Sequence, residues 1–159
     1  MNAVLLSLHV LAAIIAIGPI CVAASMFPAE ARRALGDHAA TRLVVLARIS
    51  RVYAAVGIAV PVLGMMTAAS MDVLSQTWVI VSMGLTLVAA LVLAFVVLPR
   101  QQSLLADVTA HSGAGAGADV AVIARQKIGG LAMATGVFNL LWAAVTVLMI
   151  VRPGSTTGV

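Results

Sequence analysis

Residues 5–27 read LLSLHVLAAIIAIGPICVAASMF, a run with no Asp, Glu, Lys or Arg. As a helix rising 1.5 Å per residue, a run of this length crosses the roughly 30 Å of hydrocarbon in a bilayer. Hydrocarbon offers no partner to an open backbone, so a helix that satisfies its own hydrogen bonds is the structure the stretch demands. A cleaved signal sequence is the rival reading. It fits poorly, because no lysine or arginine precedes the apolar run and the run is longer than a usual signal core. Cys21, in IGPIC, also lacks the small-residue setting of a lipoprotein cleavage site. We therefore expect a retained transmembrane helix over about 4–27.

The pattern recurs three times. The second run, about 43–69, opens as LVVLARISRVYAAVGIAVPVLG and carries Arg48 and Arg51 in its first third, where their stems can snorkel to a nearby interface. The third, 77–98, begins at Trp78, a suitable interfacial anchor, and is closed by Pro99 and Arg100. The fourth, 128–151, lies between Arg125 and Lys127 on one side and Arg152 and Pro153 on the other. With 63% hydrophobic and only 9% charged residues, the chain cannot clothe a water-soluble core. The expected fold is all-α: a polytopic four-transmembrane-helix bundle forming a single membrane domain over 1–159.

Segment 99–127 is the largest extramembrane feature, expected as a flexible cytoplasmic connector. Its stretch HSGAGAGAD, 111–119, reads as a turn and not as a phosphate loop, since no Walker lysine and hydroxyl accompany the glycines. QQSLLADVTA, 101–110, suits a short interfacial helix, and ADVAVIARQK, 118–127, an extension of the fourth helix. His38 and His111 fall on the connectors and are expected to be solvated.

Charge sets the orientation. Arg32, Arg33, Arg42, Arg48 and Arg51 border the first connector, and Arg100, Arg125 and Lys127 the third, so eight of the nine basic residues share one side. Only Arg152 lies on the other. The positive-inside rule then places both termini outside the cytoplasm of a bacterial inner membrane. The net charge of +4 and pI near 10.7 follow from this asymmetry at an anionic membrane, and no nucleic-acid partner is needed to explain them.

His9 is the most suggestive polar residue in an apolar run. The plain reading is a neutral imidazole satisfied by water, a backbone carbonyl, Thr67 or Thr146; the functional one is a ligand to haem iron or copper. Met65, Met66, Met83 and Met149 fall at a similar expected depth, so a bundle could assemble a His–Met site for haem b or, less readily, copper. Methionines in an apolar chain also serve as adaptable packing. The single Cys21 excludes an internal disulfide and suits packing. Arg48 and Arg51 enter from the opposite side and are expected to anchor the helix. Gly18-Pro19, and Gly57 through Pro61 to Gly64, point to kinks and close helix approach. Thr135 and Asn139, with Thr86, are candidates for an interhelical hydrogen-bond network. No acidic residue falls within the apolar runs, which weakens a proton relay or a hydrolytic metal centre.

LHVLAAIIAIGPICVAASMFP, the Arg48 and Arg51 pair, and RQKIGGLAMATGVFNLLWAAVTVLMIVRP resemble the bacterial DUF2269 membrane-protein family over nearly the whole chain. The pattern also looks distantly like four-helix membrane proteins related to copper-resistance D and to the haem-associated protoporphyrinogen oxidase of bacteria. That wider resemblance implies haem binding through a first-helix histidine, for which His9 is the matching position. The chain departs from the oxidase in having no lysine in its second or third helix, and from a copper route in having no chain of histidines. The expected function is therefore an integral membrane scaffold or accessory protein, associating with itself or with another membrane protein, with His9 as its candidate haem site. A haem-binding redox protein is the main enzymatic alternative, and copper binding or transport a third.

Overall fold

Each apolar run satisfies its own backbone, and a computed structural model, describing residues 2–37, 40–111 and 118–154, makes all four helical. Helix α1 spans Asn2–Asp37. A second rod is formed by α2, Thr41–Val56, and α3, Ala59–Ser70. A third joins α4, Thr77–Val92, through a five-residue π-helical turn, Leu93–Val97, to α5, Leu98–His111. Helix α6 spans Ala118–Val151. Four stretches within these rods are long and apolar enough to cross a membrane: Asn2–Ala34, Thr41–Ser70, Thr77–Ala110 and Val122–Val151.

Prolines explain where the rods deviate from a regular helix. Pro61 has no N–H to offer the Gly57 carbonyl one turn back, and the chain tightens there. Ile58 bonds to Ala55 at 3.3 Å, and the Val60 N–H reaches the orphaned Gly57 carbonyl at 3.1 Å. The α2/α3 junction is the result. Pro99 is handled in the opposite way, by widening: the Leu98 N–H bonds back to the Leu93 carbonyl, five residues earlier. The wide turn makes room for the proline ring, which would otherwise strike the Phe95 carbonyl.

Pro99 therefore does not end the third helix as expected. The helix continues to His111, so that 101–110 is helical as expected but continuous with the third rod, and 118–127 extends the fourth helix as expected; the segment expected as a flexible connector, 99–127, is thus helical wherever it is described. Residues 112–117, which hold most of the glycine–alanine stretch, lie outside the described residues, as do His38 and the side chain of His111. The first helix likewise runs ten residues past its expected end. Both extensions persist because they are packed: Ala31 and Ala34 of α1 and Leu104 and Val108 of α5 are buried together with Leu43 and Ile128.

The main core thus sits toward the end of the bundle that carries the basic residues, anchored by Phe27, Leu131 and Phe138. Ten of the 24 buried apolar residues described are alanines. Lipid is as apolar as a side chain, so helices gain by close van der Waals approach, which small residues allow. At the opposite end a smaller cluster joins Ala68, Trp78 and Val79 to Met149. Trp78, expected as an interfacial anchor, stands in the first turn of α4. It is buried there, with the Arg152 guanidinium 5.6 Å from its ring centroid.

Around the bundle, α1 packs against α2, α3 and α6, while α4 packs against α6. Helix α3 leans on α1 and barely meets α4. The second rod is accordingly the least covered, with 11% of its most apolar window buried against 28% for α1.

Candidate functional site

His9 lies about two turns into α1 and faces α3. Its Nδ1 is 3.0 Å from the Val60 carbonyl oxygen. A carbonyl only accepts, so Nδ1 carries the proton and the neutral ring keeps its lone pair on Nε2. The ring lies on Gly64: a Cβ built there would come within 2.8 Å of Cε1, 3.3 Å of Nδ1 and 3.4 Å of Nε2. Local sequence prepares both contacts. The break before Pro61 sets the start of α3, and Gly64, four residues after Val60, leaves its face open to the ring. Of the partners considered from sequence, a backbone carbonyl is the one found. Thr67 donates instead to Leu63 at 2.7 Å and Thr146 to Trp142 at 2.9 Å, each within its own helix.

Three of the four methionines are exposed. Met65 and Met66 follow Gly64 but are 49% and 51% exposed, and Met83 on α4 is 41% exposed. Met149 packs with Ala68, Trp78 and Val79. Among the described residues no group of three or more His, Cys, Asp or Glu side chains is placed to hold a metal. The Nδ1–H bond to the carbonyl fixes the tautomer of the imidazole and orients Nε2.

Elsewhere the polar residues tie helices together. Asn139 donates to Ser25 Oγ at 3.0 Å, linking α6 to α1. Thr86 turns back to its own helix at Ser82 (2.8 Å), while the Thr135 hydroxyl is buried without a hydrogen-bond partner among the described residues. Cys21 is a free, half-buried thiol beside the main core. Arg48 and Arg51 are exposed.

Sequence reading passed over the polar contacts at the basic end. Glu30 is buried, accepts from Arg33 at 2.6 Å and lies 3.7 Å from Arg42, joining α1 to α2. Gln101, 1% exposed, reaches Ser50 Oγ at 3.4 Å. Lys127 pairs with Asp107 at 2.7 Å, and Arg100 donates to the Gly130 carbonyl at 2.8 Å, both between α5 and α6. The helical spacing of Glu30 and Arg33 was a usable signal. The other partners are distant in sequence and appear only once the rods pack.

Comparison with known proteins adds one match. The family model described as "Predicted integral membrane protein (DUF2269)" aligns with residues 3–153. Neither a curated protein nor a solved structure matches the chain. With nearly the full length matched, and four helices of membrane-spanning length and composition in place, the chain belongs to the DUF2269 family of predicted integral membrane proteins.

Proposed function

We propose that the protein is a membrane scaffold or accessory subunit that receives a transmembrane helix of another membrane protein, or of a second copy, against the outer half of its second rod. The observation carrying this reading is the meagre cover of that rod, whose α3 segment rests on α1 while Val62, Met65 and Met66 face outward. Small and flexible side chains along such a face suit close helix approach. The charge asymmetry supports a bacterial inner membrane with both termini outside the cytoplasm. The test is a photo-crosslinking residue at Val62 in native membranes, with the 74% exposed Phe95 as control. A discrete protein adduct at Val62 and none at Phe95 is expected. Identical diffuse lipid labelling at both positions would remove the scaffold reading.

A second reading, haem binding through His9, is favoured by one feature: the Nδ1–H bond to Val60, which leaves Nε2 as the basic nitrogen. His9 would hold the iron and Val60 would orient it, the haem supplying one-electron chemistry when bound. Protein purified after expression with ample haem should then show a reduced-minus-oxidised Soret signal that is lost in His9→Ala. A folded, colourless wild type would end this reading.

A further inference from the structure

Arg100 is held on a carbonyl of a neighbouring helix, whereas Arg152 bonds to the Met149 carbonyl of its own last turn. Arg100 emerges one residue after Pro99 and sends Nη1 to the Gly130 carbonyl on α6, 2.8 Å away. A Cβ at Gly130 would lie 3.4 Å from Nη1, at the near edge of ordinary van der Waals contact, so the guanidinium rests directly on this turn of α6. The bond occupies one of five N–H donors and places no negative charge beside the cation. No carboxylate among the described residues lies within ion-pair distance of Arg100. Glu30 is engaged with Arg33 and Arg42, and Asp107 with Lys127. Arg100 is thus an oriented guanidinium with no counter-charge among the described residues.

An open cleft of about 390 Å³ lies beside it, lined by Arg100, Ser103, Gln126, Lys127 and Gly130. Ser103 stands one turn beyond Arg100 on α5, and Gln126 and Lys127 one turn before Gly130 on α6, so both helices turn donors toward the same space. All four side chains can donate, two carry positive charge, and none of the lining side chains among the described residues is acidic. Asp107 holds Lys127 from outside the lining set and fixes where its ammonium stands. Buried apolar residues flank it in sequence, Val97 ahead of Arg100 and Ile128 and Leu131 on α6.

We propose that this cleft is a binding site for a phosphate group, with Arg100 as the principal ligand and Ser103, Gln126 and Lys127 as further donors. A planar guanidinium matches two phosphate oxygens at once, while the hydroxyl, amide and ammonium satisfy the others. An anionic phospholipid headgroup and a soluble phosphate present the same chemistry, and the experiment separates them.

Full-length protein is purified in a mild detergent free of phosphate. Native mass spectrometry counts retained phosphatidylglycerol against phosphatidylcholine, and the thermal midpoint is followed as inorganic phosphate is added. The variants are Arg100→Gln, which keeps a donor for Gly130; the pair Ser103→Ala with Gln126→Ala, which leaves the Arg100 contact intact; and Arg48→Gln, an exposed arginine away from the cleft. We expect wild type and Arg48→Gln to retain phosphatidylglycerol over phosphatidylcholine, with retention about tenfold lower in Arg100→Gln and reduced in the pair. That result identifies a lipid headgroup. Stabilisation by inorganic phosphate that depends on Arg100, without lipid selectivity, identifies a soluble phosphate. Equal losses in Arg100→Gln and Arg48→Gln, or binding that Arg100→Gln leaves unchanged, would overturn the site. Should Arg100→Gln fail to fold, unchanged binding in the Ser103→Ala, Gln126→Ala pair overturns it equally.

Discussion

At the scale of single residues, the contact between His9 and Gly64 is the sharpest constraint on the face between α1 and α3. Glycine in a helix interior costs up to about 1 kcal/mol relative to alanine, so Gly64→Ala would stabilise α3 if nothing lay above it. Here the added methyl would stand 2.8 Å from the His9 ring, which must swing away and surrender its bond to Val60. We predict that Gly64→Ala destabilises the wild-type protein by about 1–2 kcal/mol, but stabilises the His9→Ala background by up to about 1 kcal/mol. Thermal midpoints of the four proteins in detergent give the cycle, and the same sign in both backgrounds would show that the ring does not sit on Gly64. At Glu30 the partners Arg33 and Arg42 are 67% and 72% exposed, so solvent weakens the attraction. Glu30→Gln should cost only about 1 kcal/mol, and the deficit should shrink in high salt. A deficit that persists unchanged at high salt would mean that Glu30 acts through packing and not through charge.

At the scale of elements, Pro61 and Pro99 decide how the second and third rods continue. Reading Pro99 as a terminator rested on a sound rule, since a proline ring collides with the carbonyl four residues back. The π turn at Leu93–Val97 removes that collision by adding one residue to a turn. It was not legible from the sequence, because LAFVV carries no mark that distinguishes a wide turn from an ordinary one. What holds the turn is downstream packing, which needs Gln101, Leu104 and Val108 on the buried face of α5. Deleting the exposed Phe95 should restore an unbroken α-helix in the same register while returning the ring of Pro99 to a carbonyl. We predict a loss of about 3 kcal/mol for the deletion alone, largely recovered when Pro99→Ala is added. Equal stability of the two variants would show that the π turn has another cause. The α3/α4 connection shows a milder adjustment. Asp72 takes φ 57°, and the Val73 N–H reaches back to Ala68 at 3.0 Å, closing the helix end while Val73 packs on the same cluster as Ala68.

At the scale of the whole molecule, the orientation argument yields a direct test. In a Cys21→Ser background, a cysteine replacing Ser75 should react with a membrane-impermeant thiol reagent in intact cells, and one replacing Ser103 only after permeabilisation. The reverse pattern would invert the bundle and move the phosphate cleft to the outer surface. The number of helices, their approximate spans and the grouping of eight basic residues toward one end were already determined by the sequence. Hydrophobic length and charge act locally, and a bilayer reads them segment by segment. The methionines show where that reading stops: Met65, Met66, Met83 and Met149 share an expected depth with His9, yet depth says nothing about rotation, and the packed structure turns three of them outward. Rotation also decided that His9 meets Val60 and Gly64, that the core lies toward the basic end, and that Arg100 crosses to Gly130. These depend on which small residues let helix backbones approach, and on where two prolines shift the faces of their rods. Both are properties of pairs of helices in contact, and only the tertiary structure contains them.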